Sequence, residues 1–473
     1  MLLHPQNLVK TVGSFTFCGD VTATAHSCLN KGIIKEFWHN FTFQSSKLNV
    51  CKSNEFIFLV GNAEPLSLDG FDYSINITPD GICVHAKNEK NLIRGFMALI
   101  DRFEAINKDE ALATRIDCCK IKDKPMVKNR MVHFCIFPET TLAFMRKIIR
   151  LAAFLRYTHM VVEFWGTLKM DCLKELAWKD AFSKDEVLPI FKEAQTLGVE
   201  IIPMLNHWGH ATFSRAKTGK HVVLDQNLAL APLFSSTGWE WNLNNPKVKE
   251  LHKNIRKELM DLCGDGEYFH IGCDEAYSAE TKEDFESLVN YINDVSKELE
   301  NAGRKAIMWG DMLLHKATLE NKTGNVYYLS CPNEEWQKIV LDKLSRSIVI
   351  ADWEYEAGKY PIETALFFKE KGFKVLCCPF NGRDNIIASA NTIKHNNLLG
   401  VLHTTWHHIG THSGVWGLAH SAASSWGEAV FNYSHLAYQG NEVASILRKL
   451  AFPNGDYNNC GWARKQILGD LYE

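Results

Sequence analysis

From Arg130 onward the chain repeats one pattern, a short apolar run followed by an amphipathic stretch long enough for a helix. MVHFCIF leads into ETTLAFMRKIIRLAAFLRY, HMVVEFW into SKDEVLPIFKEAQTLG, and VEIIPMLNHWGH through a long loop into PKVKELHKNIRKELMDLCG. YFHIGCDE, AIMWGD, SIVIADWEY, FKVLCCPF and LLGVLHTTW continue the series, which makes eight strands. Strands apolar along their whole length are buried on both faces, and helices between them supply the crossovers of a parallel sheet. Eight such units in about 300 residues predict an α/β protein whose sheet closes into a (β/α)8 TIM barrel. An open doubly wound sheet would carry a glycine-rich turn after its first strand, and CIFPETT has none.

A different texture precedes the barrel. FIFLVGN (56–62) and FDYSINITPDGICVHAK (71–87) read as strands, the second pair joined at a PDG turn, and a helical pattern follows in NLIRGFMALIDRFEAI. The charged, proline-containing KIKDKPMVKNR marks a boundary. The expected organisation is a small α+β domain over 1–125, a catalytic barrel over 126–432 and a helical tail over 433–473.

Composition excludes several classes. The 473 residues are 46% hydrophobic, enough for a full core, and the net charge of −3 comes without a basic tract, so neither nucleic acid nor a membrane surface is an expected partner. The start, MLLHPQNLVKTVGSF, turns polar by His4 and does not read as a secretory signal, which predicts a cytoplasmic protein. None of the fourteen cysteines forms a CxxC pair, and Cys118–Cys119 and Cys377–Cys378 are adjacent in apolar runs, so all read as structural thiols. The sequons at Asn40, Asn76, Asn321 and Asn432 then carry no weight. No cofactor and no metal are expected, and a homo-oligomer is left open.

Active-site residues of such barrels come from the C-terminal ends of the strands. Five of those ends carry tryptophan: Trp165, Trp208, Trp309, Trp353 and Trp406. One alone would be packing, but a ring of indoles offers flat apolar walls suited to a sugar ring or an acetamido methyl. EYFHIGCDEAY adds two carboxylates, Asp274 and Glu275, directly after a buried strand. The bland reading of that pair is a cap on the next helix. Glycoside cleavage needs a proton donor at the leaving oxygen and a nucleophile at the anomeric carbon. Adjacent residues in extended chain point to opposite sides, so the two acids act on different parts of the substrate, and the nucleophile is another carboxylate or the substrate itself.

The motif H-x-G-x-D-E on the fourth barrel strand, the tryptophan-rich strand ends, a G-H turn after the third strand and the YSINITPDGICVHAKNEKNLIRG run together resemble the family 20 glycoside hydrolases, the exo-acting β-N-acetylhexosaminidases. The resemblance spans about residues 55–430. It implies substrate-assisted hydrolysis of an amino-sugar glycan or glycoconjugate. Glu275 would be the general acid and then base. Asp274 would orient the 2-acetamido group and balance the oxazolinium charge. Trp309, Trp353 and Trp406 would wall the acetamido pocket, Tyr355 would bond the acetamido carbonyl, and His210 matches the family's G-H histidine. An indole-walled pocket and the charge of Asp274 are expected to raise the Glu275 pKa. Three departures stand out: Pro138 near the place of an outer-hydroxyl arginine, with Arg130 too deep to replace it; Trp406-His407-His408 in place of W-x-E; and Cys273 in a glycine position, expected to point into the barrel. They leave the choice between N-acetylglucosamine and N-acetylgalactosamine open.

Three alternatives remain at this stage. A retaining glycosidase with its own nucleophile would draw on Asp311, Asp352 or Glu354. A metal-dependent barrel hydrolase would use the run His403, His407, His408 and His412, but that class opens with an H-x-H that this chain lacks. A non-catalytic sugar-binding barrel would not need both Asp274 and Glu275.

Overall fold

The computed structural model describes residues 3–450 except 138–139, 213–226, 407–408, 410–411, 428–442, 444 and 448; the side chains of Trp165, His412 and Ser413 are also outside the description. The N-terminal unit is a mixed sheet of eight strands: β1 (Asn7–Phe17), β2 (Gly19–His26), β3 (Ser46–Ser53), β4 (Ile57–Gly61), β5 (Tyr73–Thr78), β6 (Gly81–Ala86), β7 (Glu104–Lys108) and β8 (Ala111–Asp123). Their order is β1-β8-β5-β6-β4-β2-β3, with β7 beside β8. The PDG hairpin forms as expected, with Thr78 opposite Gly81. Helix α1 (Lys31–Phe41) buries one face on this sheet, and α2 (Glu89–Ile100) is buried nearly all round. The sequence pattern carried α2 too far: it stops at Ile100, and the following EAI pairs as β7 with β8.

Eight parallel strands then close a barrel: β9 (Asn129–Cys135), β10 (His159–Glu163), β11 (Glu200–Met204), β12 (Tyr268–His270), β13 (Lys305–Trp309), β14 (Val349–Asp352), β15 (Lys374–Cys377) and β16 (Gly400–His403), with β16 pairing back to β9. Each is followed by a helix: α3 (Leu142–Phe154), α4 (Lys184–Thr196), α5 (Pro246–Cys263), α6 (Lys282–Asn301), α7 (Glu334–Lys343), α8 (Glu363–Glu370), α9 (Arg383–Asn396) and α10 (His412–Trp426). Helix starts follow local chemistry. Ser183 and Thr281 close capping boxes with Glu186 and Asp284, and Thr141, Asn245 and Asn333 cap α3, α5 and α7.

Period-2 alternation divides the barrel strands between two cores. Met131, Val161, Ile202, Ile307, Val349, Leu376 and Leu402 fill the barrel, while their neighbours join the larger cluster under the helices. The two units are tied by buried polar contacts. Asp123 at the end of β8 accepts from the Tyr73 hydroxyl at 2.7 Å and the Trp426 indole at 2.9 Å, and Arg150 of α3 forks onto Glu36 of α1. Most of 433–473, the expected helical tail, lies outside the described residues.

Candidate active site

The C-terminal rim of the barrel brings the predicted acids under a histidine. His210 Nε2 is 3.2 Å from Asp274 Oδ2 and 3.1 Å from Glu275 Oε2. Two glycines make this approach available. A Cβ at Gly209 would stand 2.1 Å from the Asp274 carbonyl oxygen, and one at Gly272 would stand 1.9 Å from Asn206 Oδ1. The backbone around the acids is held in uncommon conformations: φ is positive at His210, Cys273, Glu275 and Trp406, none of them glycine. Cys273 does not enter the barrel as expected. Its left-handed backbone turns the thiol into the core under the helices, where its Sγ donates to the Ile271 carbonyl at 3.4 Å.

Asp274 is buried, and its Oδ1 has no hydrogen-bond partner among the described residues. Glu275 is more open, its side chain 40% exposed. Their electrostatics reverse the expectation for Glu275. The hydrogen bond from His210 holds the Glu275 carboxyl below its ordinary value against a weaker push from burial. Burial raises Asp274, with the charges of Glu275 and Glu163 adding and His210 opposing. The sequence placed indoles near Glu275 but could not show that an imidazole sits between the two acids.

Behind the acids, Trp309 is fully buried with its ring 5.7 Å from that of Trp406. Trp406 Nε1 donates to the Tyr355 hydroxyl at 2.8 Å, and the Tyr355 ring lies 5.3 Å from Trp353. Burial lifts the Tyr355 phenol well above its ordinary value, so it stays a donor. Trp208 is buried and bonds Ser278, which makes it packing for the rim. The candidate enzymic nucleophiles are occupied elsewhere. Asp311 accepts the Glu275 backbone N–H at 3.0 Å and the Trp353 indole at 3.1 Å, Asp352 accepts from the Thr364 hydroxyl at 2.8 Å, and Glu354 accepts the Tyr328 backbone N–H at 2.7 Å. All three are buried. Burial is the first cause that pushes Asp311 and Asp352 to about 7 and Glu354 to about 10, which makes them poor anionic nucleophiles.

Other groups at the site were missed in the sequence. The Trp239 indole donates to the Glu275 carbonyl at 2.6 Å with its ring 4.3 Å from His210, and Glu240 accepts the Tyr277 backbone N–H at 2.8 Å. Both come from a long loop with no strand periodicity to place them. Arg130 is buried with its guanidinium on the carbonyls of Arg156, Val127 and Lys128, too deep to reach a sugar. Pro138, His407 and His408 lie outside the described residues. Of the histidine run, His403 is buried and pushed down to about 3, first by burial.

Residues 156–382 match the family model described as glycosyl hydrolase family 20, catalytic domain. The match takes in strands β10 to β15, so this part of the barrel is similar to that family's catalytic domain. Lacto-N-biosidase from Bifidobacterium bifidum is 20% identical over 270 residues, which are 52% of this chain and 24% of that protein, so the chain spans about a quarter of the length of this relative. Among solved structures, the family 20 exo-β-N-acetylglucosaminidase of Vibrio harveyi superposes with a TM-score of 0.69 at 14% identity, over 95% of this chain and 77% of that one. The β-N-acetylhexosaminidase of Bacteroides fragilis does so with a TM-score of 0.68 at 15% identity, over 96% of both chains. The likeness of fold covers the N-terminal sheet as well as the barrel.

Proposed function

We propose that the chain is a retaining exo-β-N-acetylhexosaminidase that releases terminal N-acetylglucosamine or N-acetylgalactosamine by substrate-assisted catalysis. One observation carries the reading: Asp274 Oδ1 is a buried acceptor without a partner among the described residues, beside the half-open Glu275 and on the rim where β13 and β16 end at Trp309 and just before Trp406. An acetamido N–H supplies what that oxygen lacks. The Tyr355 hydroxyl donates to the acetamido carbonyl and turns its oxygen toward the anomeric carbon. That oxygen forms the new bond to C1 as the glycosidic bond breaks, and Glu275 gives its proton to the departing oxygen. Asp274 as an anion then faces the oxazolinium, an interaction stronger in the transition state than in the ground state. Water attacks C1 from the vacated side, Glu275 takes its proton, and the ring opens with the original configuration.

In the free site burial shifts Asp274 toward its protonated form, while the hydrogen bond from His210 shifts Glu275 toward its anion. A bound sugar reverses this. Its N–H favours the Asp274 anion, and its body removes water from the exposed face of Glu275, which raises that carboxyl. His210 Nε2, within reach of both oxygens, is placed to pass the proton. The cytoplasmic setting belongs to the same proposal and rests on the cysteines among the described residues, which are all free thiols.

Rates on the nitrophenyl β-N-acetylglucosaminide, β-N-acetylgalactosaminide and plain β-glucoside, measured side by side, test the reading. Turnover of the first two with an almost inert glucoside is expected. Comparable rates on all three would replace the acetamido mechanism with an enzymic nucleophile.

A further inference from the structure

Directly under the floor of the site, adjacent strands place three side chains of different chemistry in the barrel interior. Cys135 of β9 and Glu163 of β10 are register partners, and His133 lies two residues before Cys135 on the same face. All three are buried, and they form the group suited to a metal ion among the described residues. His133 Nε2 is 3.3 Å from Glu163 Oε2, Cys135 Sγ is 3.5 Å from His133 Nε2, and Cys135 Sγ is 3.6 Å from Glu163 Oε2.

From this triangle we infer that His133, Cys135 and Glu163 form a binding site for one zinc-class divalent cation, separate from the catalytic acids. Zinc bonds of about 2.0–2.1 Å to nitrogen and oxygen and about 2.3 Å to sulfur, set at tetrahedral angles, give ligand–ligand edges of about 3.3 Å for N···O and about 3.5 Å for edges to sulfur. The observed edges match these lengths; because Cys135 Sγ also lies 3.9 Å from His133 Nδ1, loading requires the imidazole to turn so that its Nε2 lone pair faces the ion. Charge agrees as well: one thiolate and one carboxylate neutralise a dication, so the loaded site buries no net charge. The sulfur and imidazole ligands select zinc over magnesium or calcium. Support around the ligands is already present. Asn206 Nδ2 donates to the other carboxylate oxygen, Glu163 Oε1, at 2.7 Å, and both strands are held in the barrel. Loading releases the Cys135 thiol proton to solvent.

The role is to brace the site above. The His133 ring meets Trp406 edge-on at 4.8 Å and Trp309 at 6.1 Å, so fixing the imidazole fixes the back of the pocket. It is a positioning site and touches no reacting atom.

The test uses the full chain, stripped with a chelator and titrated with zinc or cobalt(II) alone. About one equivalent of zinc should survive desalting, and cobalt should give a thiolate charge-transfer band in the near ultraviolet. Cys135→Asp, which keeps an oxygen ligand, should still bind cobalt but lose that band, and Cys172→Ser should change neither. Zinc should raise the wild-type Tm. Retention below about a tenth of an equivalent, or a charge-transfer band that persists in Cys135→Asp, would show that the three residues are a hydrogen-bonded cluster only. Wild-type metal content decides the matter even where a variant fails to fold.

Discussion

Asp311 holds Glu275 by its backbone: one carboxylate oxygen accepts the Glu275 N–H at 3.0 Å while the other takes the Trp353 indole at 3.1 Å. A single buried acid therefore couples the turn that carries Glu275 to the Trp353 indole. Asp311→Asn replaces one acceptor by a donor, so one of the two bonds becomes donor against donor. Since small displacements at a reacting centre cost on the order of a hundredfold in rate, kcat should fall by about that factor with KM changed less. Steady-state kinetics check this, and unchanged kcat would confine Asp311 to packing.

Glu275→Gln is nearly isosteric but has no acidic proton. It should lower kcat by about 10² to 10⁴ on substrates with poor leaving groups and by much less on those with activated phenols. An equal loss on both kinds would remove proton donation from the role of Glu275.

In the proposed mechanism His210 sets when that proton is available. The general acid works protonated, so activity falls as pH rises through its pKa, and His210 holds that pKa below the ordinary value. His210→Gln should shift the basic limb of the kcat/KM profile to higher pH while lowering kcat by about tenfold or more. A limb that stays in place would separate His210 from the titration.

Asp274→Asn keeps the shape of the acceptor but not its charge. Hydrolysis should fall by about 10² to 10³, and a thiazoline that mimics the cyclised intermediate should lose most of its advantage over the simple sugar. Inhibition constants for both ligands on both proteins measure the effect. Covalent labelling of Asp311, Asp352 or Glu354 by a fluorosugar would count against the substrate's own acetamido as nucleophile.

Glu354 predicts a pH effect on stability. Burial, then the charge of Asp352, raises its folded pKa to about 10. A carboxyl raised on folding contributes stability that is complete below its ordinary value and is lost as pH rises toward the folded one. Glu354→Gln keeps an oxygen for the Tyr328 N–H and removes this slope, so Tm should rise at pH 8 by about 2 °C or more, with little change at pH 4. Calorimetry across pH reads the slope directly.

Much of this protein was legible in its order of residues. Strands apolar on both faces, separated by amphipathic helices, admit few arrangements, and eight such units without a glycine-rich turn after the first strand favour a closed barrel over an open doubly wound sheet. The same periodicity identified the strand ends, and with them Asp274, Glu275, Trp309, Trp353, Tyr355 and Trp406. Irregular and edge structure was less legible. Strands β1 and β7 lack a clean alternation because they are exposed along most of their length. Trp239 and Glu240 sit in a loop whose course depends on what it packs against.

The sequence by itself determined which side chains stand at the end of each strand, because parity along a strand is a local property. Only the tertiary structure decided which of those side chains meet. His210 and the two acids are 64 and 65 residues apart in the chain, and their 3.2 and 3.1 Å contacts put one imidazole against both carboxyls and hold Glu275 below its ordinary value. Asp311 reads in the sequence as a spare nucleophile and becomes in the fold the anchor of Glu275. His133, Cys135 and Glu163 match no metal spacing along the chain. They become a triangle of ligand atoms because the β9–β10 register sets Cys135 opposite Glu163. Electrostatic coupling and coordination depend on distances of a few ångströms between distant segments, and those distances exist only once the barrel has closed.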